Sequence, residues 1–223
     1  MMPLLPVSEI FGPTIQGEGE HIGRRAVFVR LAGCDSRCSW CDTKYAWGTE
    51  GATHMSEGEI VDAVSDLGPC RLVVITGGNP AMYDLKRLVM LLTLMGKTVH
   101  VETQGTIRQE WLRLADLVTI SPKADLPMNA LSDLVCDLLG CTSVQIKVVI
   151  HSRADFDRAV EISQRLPAVP IILQAGYDPA SRAGSVEPAI LAGWFAREGS
   201  DLPPSARLLP QLHRVLWGDA RGV

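Results

Sequence analysis

No apolar run in the 223 residues approaches the roughly 20 residues that a membrane-spanning helix needs. The opening stretch MMPLLPVSEI is short and interrupted by Pro3 and Pro6, so it does not read as a signal peptide. Basic charge is not in surplus either: 21 Lys and Arg stand against 25 Asp and Glu, a formal charge of -4. That balance argues against a phosphate-backbone partner such as nucleic acid. Internal repeats, low-complexity tracts and charged tails are missing too. These absences describe a cytoplasmic chain with no membrane and no nucleic-acid partner. With 47% hydrophobic and 21% charged residues, 1–223 reads as one globular domain with a sizeable core.

Cysteines are few and unevenly spread. Three of the six crowd into eight residues, Cys34, Cys38 and Cys41, while Cys70, Cys136 and Cys141 are scattered through apolar segments. Disulfide frameworks favour small secreted chains, so a tight triplet in a cytosolic chain points to metal. Cys136 and Cys141 are expected to pack in the core.

Short apolar runs rich in β-branched residues alternate with amphipathic stretches, the pattern of a parallel sheet with crossover helices. Six strands are expected at AVFVRLA (26–32), RLVVIT (71–76), TVHVET (98–103), DLVTIS (116–121), SVQIKVVI (143–150) and VPIILQ (169–174). Ser56 with Glu59 three residues on has capping-box spacing and opens a helix over 56–67. Helical periodicity recurs at about 84–95, 129–139, 153–166 and 186–197. Loops carry Gly and Pro, as in GYDPASRAG (176–184) and GSDLPPSA (199–206). A barrel, closed or partial, and an open doubly wound sheet both fit. In either, ligands collect at the C-terminal strand ends.

The triplet follows the first expected strand directly, so one loop can wrap one face of an iron-sulfur cubane. Electron-transfer 4Fe-4S clusters use four thiolates; three would leave one iron open. A zinc site wants four ligands, and after Cys38 and Cys41 comes His54 but no second His at the usual spacing. A ferredoxin-type cluster would take its fourth thiolate from Cys70, Cys136 or Cys141. Further on, Gly77 and Gly78 end an apolar strand, where missing side chains let backbone approach a ligand. Glu102 and Gln104, two apart at a strand end, share a face; Glu102 would hold a ligand there or be a surface carboxylate. Ser121, Pro122 and Lys123 close the fourth expected strand. Lys147 lies in an apolar strand and needs a partner, most simply a structural ion pair.

C-x3-C-x2-C with Trp40 before its last cysteine resembles the radical S-adenosylmethionine enzymes. The resemblance implies that methionine chelates the open iron and that the reduced cluster cleaves the sulfonium to a 5'-deoxyadenosyl radical. The protein then supplies orientation and exclusion of water. That group more often has Glu where this chain has Asn79. Taken together, EIFGPTIQGEG (9–19), AVFVRLAGCDSRCSWCDT (26–43), TGGNP (76–80), VETQGT (101–106), ISPK (120–123), KVVI (147–150) and RLLPQLHRVLWGDARGV (207–223) resemble the 7-carboxy-7-deazaguanine synthase family. This implies a lyase that converts 6-carboxy-5,6,7,8-tetrahydropterin to 7-carboxy-7-deazaguanine and ammonia. Such a lyase serves the deazapurine pathway to queuosine, a tRNA modification. It also implies an α/β fold, an incomplete radical SAM β/α barrel of about six mostly parallel strands, a homodimer, and an external reductant such as flavodoxin.

Carried over by position, the resemblance places a 4Fe-4S cluster on Cys34, Cys38 and Cys41 and magnesium on Thr43. S-adenosylmethionine falls on Trp40, Cys41, Asp42, Gly78, Ser121, Pro122 and Lys123. Substrate falls on Ile15, Gln16, Gly17, Arg30 and Thr76, where the guanidinium of Arg30 suits a carboxylate. Candidate catalytic groups are Arg30, Glu18, Glu102 and Lys123. Gln211 and His213 lie in a C-terminal segment that the family returns to the site. Two rivals keep the triplet: an activase that installs a glycyl radical on a partner protein, which needs neither GPTIQGEG nor Arg30, and a non-catalytic iron-sulfur carrier.

Overall fold

Strand residues alternate between two unlike faces, and that alternation organises the molecule. In a computed structural model, which describes residues 3–177 and 186–223, the six expected strands all form. They are β2 (Arg25–Leu31), β4 (Leu72–Gly77), β5 (Thr98–Thr103), β6 (Leu117–Ile120), β7 (Ser143–Ile150) and β8 (Ile171–Ala175). Three more join them: β1 (Leu5–Ile15), β3 (Thr53–Met55) and β9 (Arg207–Leu209). The sheet runs β3-β1-β2-β4-β5-β6-β7-β8-β9, parallel from β2 to β9, with β1 antiparallel to β2 and β3 antiparallel to β1. Its end strands do not pair, so hydrogen bonds leave the barrel open.

The expected count of about six was thus short by three, for physical reasons. β3 and β9 have three residues each, too few to show a period. β1 contains Pro6, Gly12 and Pro13, residues that normally punctuate strands. Register shifts between Val7 and Glu9 and between Phe11 and Thr14 absorb them. Gly12 has φ +122°, and a Cβ there would meet the Ala26 carbonyl oxygen at 2.8 Å, so neither the angle nor the space admits a side chain.

One sheet face carries Val27, Val29, Val73, Ile75, Val99, Val101, Val118, Ile120, Ile146, Val148, Ile171 and Leu173, all in the main core. Helices α1 (Glu57–Asp66), α2 (Lys86–Leu94), α3 (Met128–Leu138), α4 (Arg153–Arg165) and α5 (Pro188–Glu198) cover it. The capping box of α1 forms as read: Ser56 Oγ accepts from Glu59 N at 3.3 Å, and Glu59 Oε2 accepts from Ser56 N at 2.7 Å. On α3 the buried stripe is Leu131, Leu134, Val135 and Leu138. Cys136 falls off that stripe and Cys141 lies beyond the helix; both are exposed, which corrects their expected place in the core. The GYDPASRAG loop lies largely outside the described residues. No helix of the described residues is long and apolar enough to cross a membrane.

Candidate functional site

The opposite face is polar where the helix face is aliphatic. Strand register sets Arg30 beside Thr76 and Glu102 beside Thr119, with Gln145 next to Thr119. Lys147 follows two residues on from Gln145. This face, the cysteine loop, the loop after β1 and the C-terminal segment with α6 (Leu212–Trp217) enclose a cavity of about 560 Å3.

Cys34, Cys38 and Cys41 are half-buried free thiols that all line this cavity at the C-terminal end of β2. Their loop is tied down by Asp35, whose carboxylate accepts from Asn79 Nδ2 at 2.9 Å, Gln104 Nε2 at 2.5 Å and Thr106 Oγ1 at 2.5 Å. Cys34 Sγ itself accepts from Ser36 N at 3.4 Å and Gln104 Nε2 at 3.5 Å. Burial pushes the Cys38 thiol up, against the opposing charge of Lys123. The other cysteines stand apart. Cys70 is buried at the far end of the sheet, near the carbonyls of Arg25 and Leu72, roughly a strand length of 20 Å away. Among the described residues no three His, Cys, Asp or Glu side chains converge on a single-ion site. Three thiols facing one cavity from separate loop positions, with no fourth at hand, suit a cubane with one open iron.

Gly77 and Gly78 line the cavity, but what presses on them is the end of β2 and the start of the cysteine loop. A Cβ on Gly77 (φ +143°) would meet the Leu31 carbonyl oxygen at 2.1 Å, and one on Gly78 the Gly33 carbonyl oxygen at 2.0 Å. Asn79 is fully buried: its amide donates to Asp35 and Thr106, and its oxygen accepts from Thr103 Oγ1 at 2.8 Å and Ala81 N at 3.2 Å. It braces the loop instead of presenting a charge.

The loop after β1 enters the open side of the sheet. Gln16, 3% exposed, donates through Nε2 to Glu102 Oε1 at 3.0 Å, and Thr76 Oγ1 donates to Glu102 Oε2 at 3.1 Å. Glu102 is therefore no surface carboxylate. Glu18 pairs with Lys147 and accepts from Gln211 Nε2 at 2.8 Å. Burial alone would raise the Glu18 carboxyl, but the Lys147 ammonium beside it, with His213 and the Gln211 hydrogen bond, outweighs this and holds it down at about 2. Burial likewise opposes the charge of Lys147, and Glu18 and Glu102 more than compensate, raising its pKa. Lys147 does make the expected ion pair, inside the cavity. Lys123 lies over the Trp40 ring, Nζ 5.1 Å from its centroid, its pKa lowered by burial.

Ile15, Gln16, Gly17, Glu18, Arg30, Trp40, Asp42, Thr43, Thr76, Glu102, Ser121 and Lys123 all reach the cavity. Pro122 does not; it lines a neighbouring cavity of about 540 Å3 that shares Cys38, Trp40 and Lys123. Thr43 Oγ1 is 3.5 Å from Cys41 Sγ. Phe11, Phe28, Tyr45 and Tyr177, not foreseen, also line the main cavity, as do Arg214 and 218–223 of the C-terminal segment that was expected to return to the site. Phe28, at an even position in an otherwise Val-rich strand, was the one sequence signal of an aromatic on the inner face. The C-terminal segment is stitched on by Leu212 N to Gly17 O at 2.9 Å and Arg214 Nη2 to Asp42 Oδ2 at 3.6 Å.

Residues 29–178 match the model of the Radical SAM superfamily. The chain is 36% identical to the 7-carboxy-7-deazaguanine synthase of Bacillus cereus over the whole of both chains, and 38% identical to that of Bacillus subtilis over 98% of each. The enzyme of that name from Pyrobaculum aerophilum is 34% identical over 99% of this chain and 98% of its own. A crystal structure of QueE from Escherichia coli superposes with a TM-score of 0.71 at 28% identity, covering 94% of each chain. With the cysteine loop, the open parallel sheet and relatives matched end to end, the chain belongs to the radical SAM superfamily and, within it, to the 7-carboxy-7-deazaguanine synthase family.

Proposed function

We propose that residues 1–223 act as one domain that converts 6-carboxy-5,6,7,8-tetrahydropterin to 7-carboxy-7-deazaguanine with loss of ammonia. The observation that carries this is the polar cradle of Gln16, Glu102, Thr76 and Arg30 facing the cysteine loop across one cavity. A pterin edge offers alternating donors and acceptors, which the Gln16 amide, the Glu102 carboxylate and the backbone of Ile15 to Gly17 can match. Arg30 would take the substrate carboxylate.

Cys34, Cys38 and Cys41 would hold the 4Fe-4S cluster. Trp40, Cys41, Asp42, Gly78, Ser121, Pro122 and Lys123 would hold S-adenosylmethionine. Together these groups supply one-electron cleavage of the sulfonium and so hydrogen abstraction. The chain's own residues do the rest. Glu102, fixed by Gln16 and Thr76, orients the ring. The Glu18–Lys147 pair sets the charge beneath it, and Lys123, over the Trp40 ring, would move a proton near the cysteine loop. Thr43 would contribute to magnesium, whose remaining ligands would be water and substrate oxygens. The enzyme would work as a cytoplasmic homodimer, take electrons from a reductant such as flavodoxin, and feed queuosine synthesis.

The test is anaerobic incubation of cluster-loaded protein with S-adenosylmethionine, dithionite, magnesium and the pterin, followed by mass spectrometry. Formation of 7-carboxy-7-deazaguanine supports the proposal. Formation of 5'-deoxyadenosine without it leaves radical chemistry on another substrate, and neither product with an intact cluster favours an electron carrier.

A further inference from the structure

The Glu9 carboxylate on β1 gathers three donors from distant parts of the chain. Oε1 accepts from Arg30 Nε at 2.7 Å and from the Tyr45 hydroxyl at 2.8 Å. Oε2 accepts from Arg221 Nε at 3.0 Å. The Arg221 guanidinium also lies over the Tyr45 ring, 3.7 Å from its centroid, and that of Arg30 lies 5.8 Å from the centre of Phe11. Arg30 and Glu9 keep only 15% and 14% of their side-chain surface exposed. Arg30, Tyr45 and Arg221 all line the cavity.

A guanidinium can grip a carboxylate through its Nε edge or through its two terminal nitrogens. Glu9 occupies the Nε of both arginines. Both ion pairs run through Nε, so Glu9 leaves the terminal nitrogens of Arg30 and Arg221 unengaged, while Arg221 also hydrogen-bonds Tyr45. Two positive charges and one negative leave a net positive charge at the cavity wall.

We infer that Glu9 is a positioning residue that holds Arg30 and Arg221 together as one two-guanidinium face for the substrate carboxylate, Arg221 being a binding residue supplied by the C-terminal tail. This rests on the assignment of Arg30 to that carboxylate. Tyr45 locks Oε1 in place. Burial, with the Glu9 charge beside it, pushes its hydroxyl up to about 12 and so keeps it a donor. A pterin without the carboxylate loses the contact, so the same face sets specificity.

Charge and geometry predict opposite signs here, which makes the inference testable. Glu9→Gln removes a negative charge, and Coulomb attraction alone would then tighten anion binding. Positioning predicts the reverse, because the arginines bond to different oxygens of Glu9 and in the amide one of these becomes an NH2 donor facing an arginine N–H. In cluster-loaded, full-length Glu9→Gln we expect KM for 6-carboxytetrahydropterin to rise about tenfold, with kcat changed less than about threefold. The preference over a tetrahydropterin lacking the carboxylate, used as a competitive inhibitor, should shrink by the same factor. Tyr45→Phe should move KM the same way by less, and Arg221→Ala should raise it. If Glu9→Gln does not hold its cluster, Tyr45→Phe and Arg221→Ala decide. A KM that is unchanged or lower, or a loss confined to kcat, overturns the inference. Arg30→Ala is run in parallel: if it leaves KM unchanged, the assignment of Arg30 fails and the inference falls with it. If Arg30→Ala raises KM while the other variants do not, the positioning role alone is wrong.

Discussion

Replacing Lys147 by Met should cost more stability than any surface change, and should invert part of the pH dependence. Lys147 is 6% exposed and answers two carboxylates, Glu18 by direct contact and Glu102 by proximity. Met fills similar volume, so packing changes little, but Glu18 and Glu102 are left buried without their cation. Removing one partner of a buried pair costs about 3–5 kcal/mol. For a chain of this length that lowers the melting temperature by roughly 6–20 °C.

The sign of the pH effect follows from Glu18. In the native chain its folded pKa, about 2, lies below the ordinary carboxylate value. Its contribution to stability is therefore complete above the ordinary value and is lost as pH falls toward 2. In Lys147→Met burial, the largest single effect, is opposed only by His213 and the Gln211 hydrogen bond, so burial prevails and the folded pKa rises above the ordinary value. The folded variant then binds protons that the unfolded chain releases, and it gains stability as pH falls from about 7 to 5, where the native chain does not. Urea denaturation at both pH values, followed by circular dichroism under anaerobic conditions, measures this. Adding Glu18→Gln should recover part of the loss, because one of the unpaired charges is gone. A loss under about 1 kcal/mol at pH 7, with the same pH slope as the native chain, would refute the reasoning.

Three further outcomes are expected. Gly19 has φ +69°, and a Cβ there would lie 2.7 Å from Gln145 Nε2, so Gly19→Ala should destabilise by about 1–2 kcal/mol and raise KM for the pterin as the loop bearing Gln16 and Glu18 shifts; an unchanged melting point and KM would contradict this. Turnover of metal-stripped, cluster-loaded protein should rise on adding magnesium, with the response altered in Thr43→Ala, and equal rates with and without the ion would remove magnesium from the proposal. Replacing Cys70, Cys136 and Cys141 together by Ser should leave a cluster that still binds S-adenosylmethionine, read by iron content and electron paramagnetic resonance, whereas loss of the cluster in folded protein would mean that one of them is a ligand.

What could be read in the sequence was what is local in it. β2 and β4 to β8 are parallel strands packed on both faces, so they stand out as β-branched runs whichever face their odd residues take. Cys34, Cys38 and Cys41 fall within one loop, so their spacing alone carries the chemistry. β1 was hidden because Pro6, Gly12 and Pro13 look like turn signals, and only its pairing with β2 and β3 makes it a strand. Cys136 was misplaced because hydrophobic character was taken for burial, when the stripe of α3 passes through Leu134, Val135 and Leu138 and leaves it outside.

The inner face of the site was harder to see for a different reason. Gln145 Nε2 donates to Thr119 Oγ1 at 2.6 Å, Thr119 Oγ1 lies 2.6 Å from His100 Nε2, and Gln145 Oε1 accepts from Glu20 N at 3.0 Å. Burial keeps His100 neutral, its pKa down at about 4, so this row supports the loop by hydrogen bonds and not by charge. Each member looks in sequence like an isolated polar interruption of an apolar strand. The row exists because parallel register brings residues 19 and 26 positions apart into contact, and the Glu9 cluster because the tail returns across 212 positions. Buried polar groups are stable only as satisfied sets, so a lone His, Gln or Lys in a β-branched run should be paired across the register with its counterparts on neighbouring strands. Applied to His100, Thr119, Gln145 and Lys147, that rule would have marked the polar face of the sheet, on which Lys147 reaches the cavity, from strand boundaries alone.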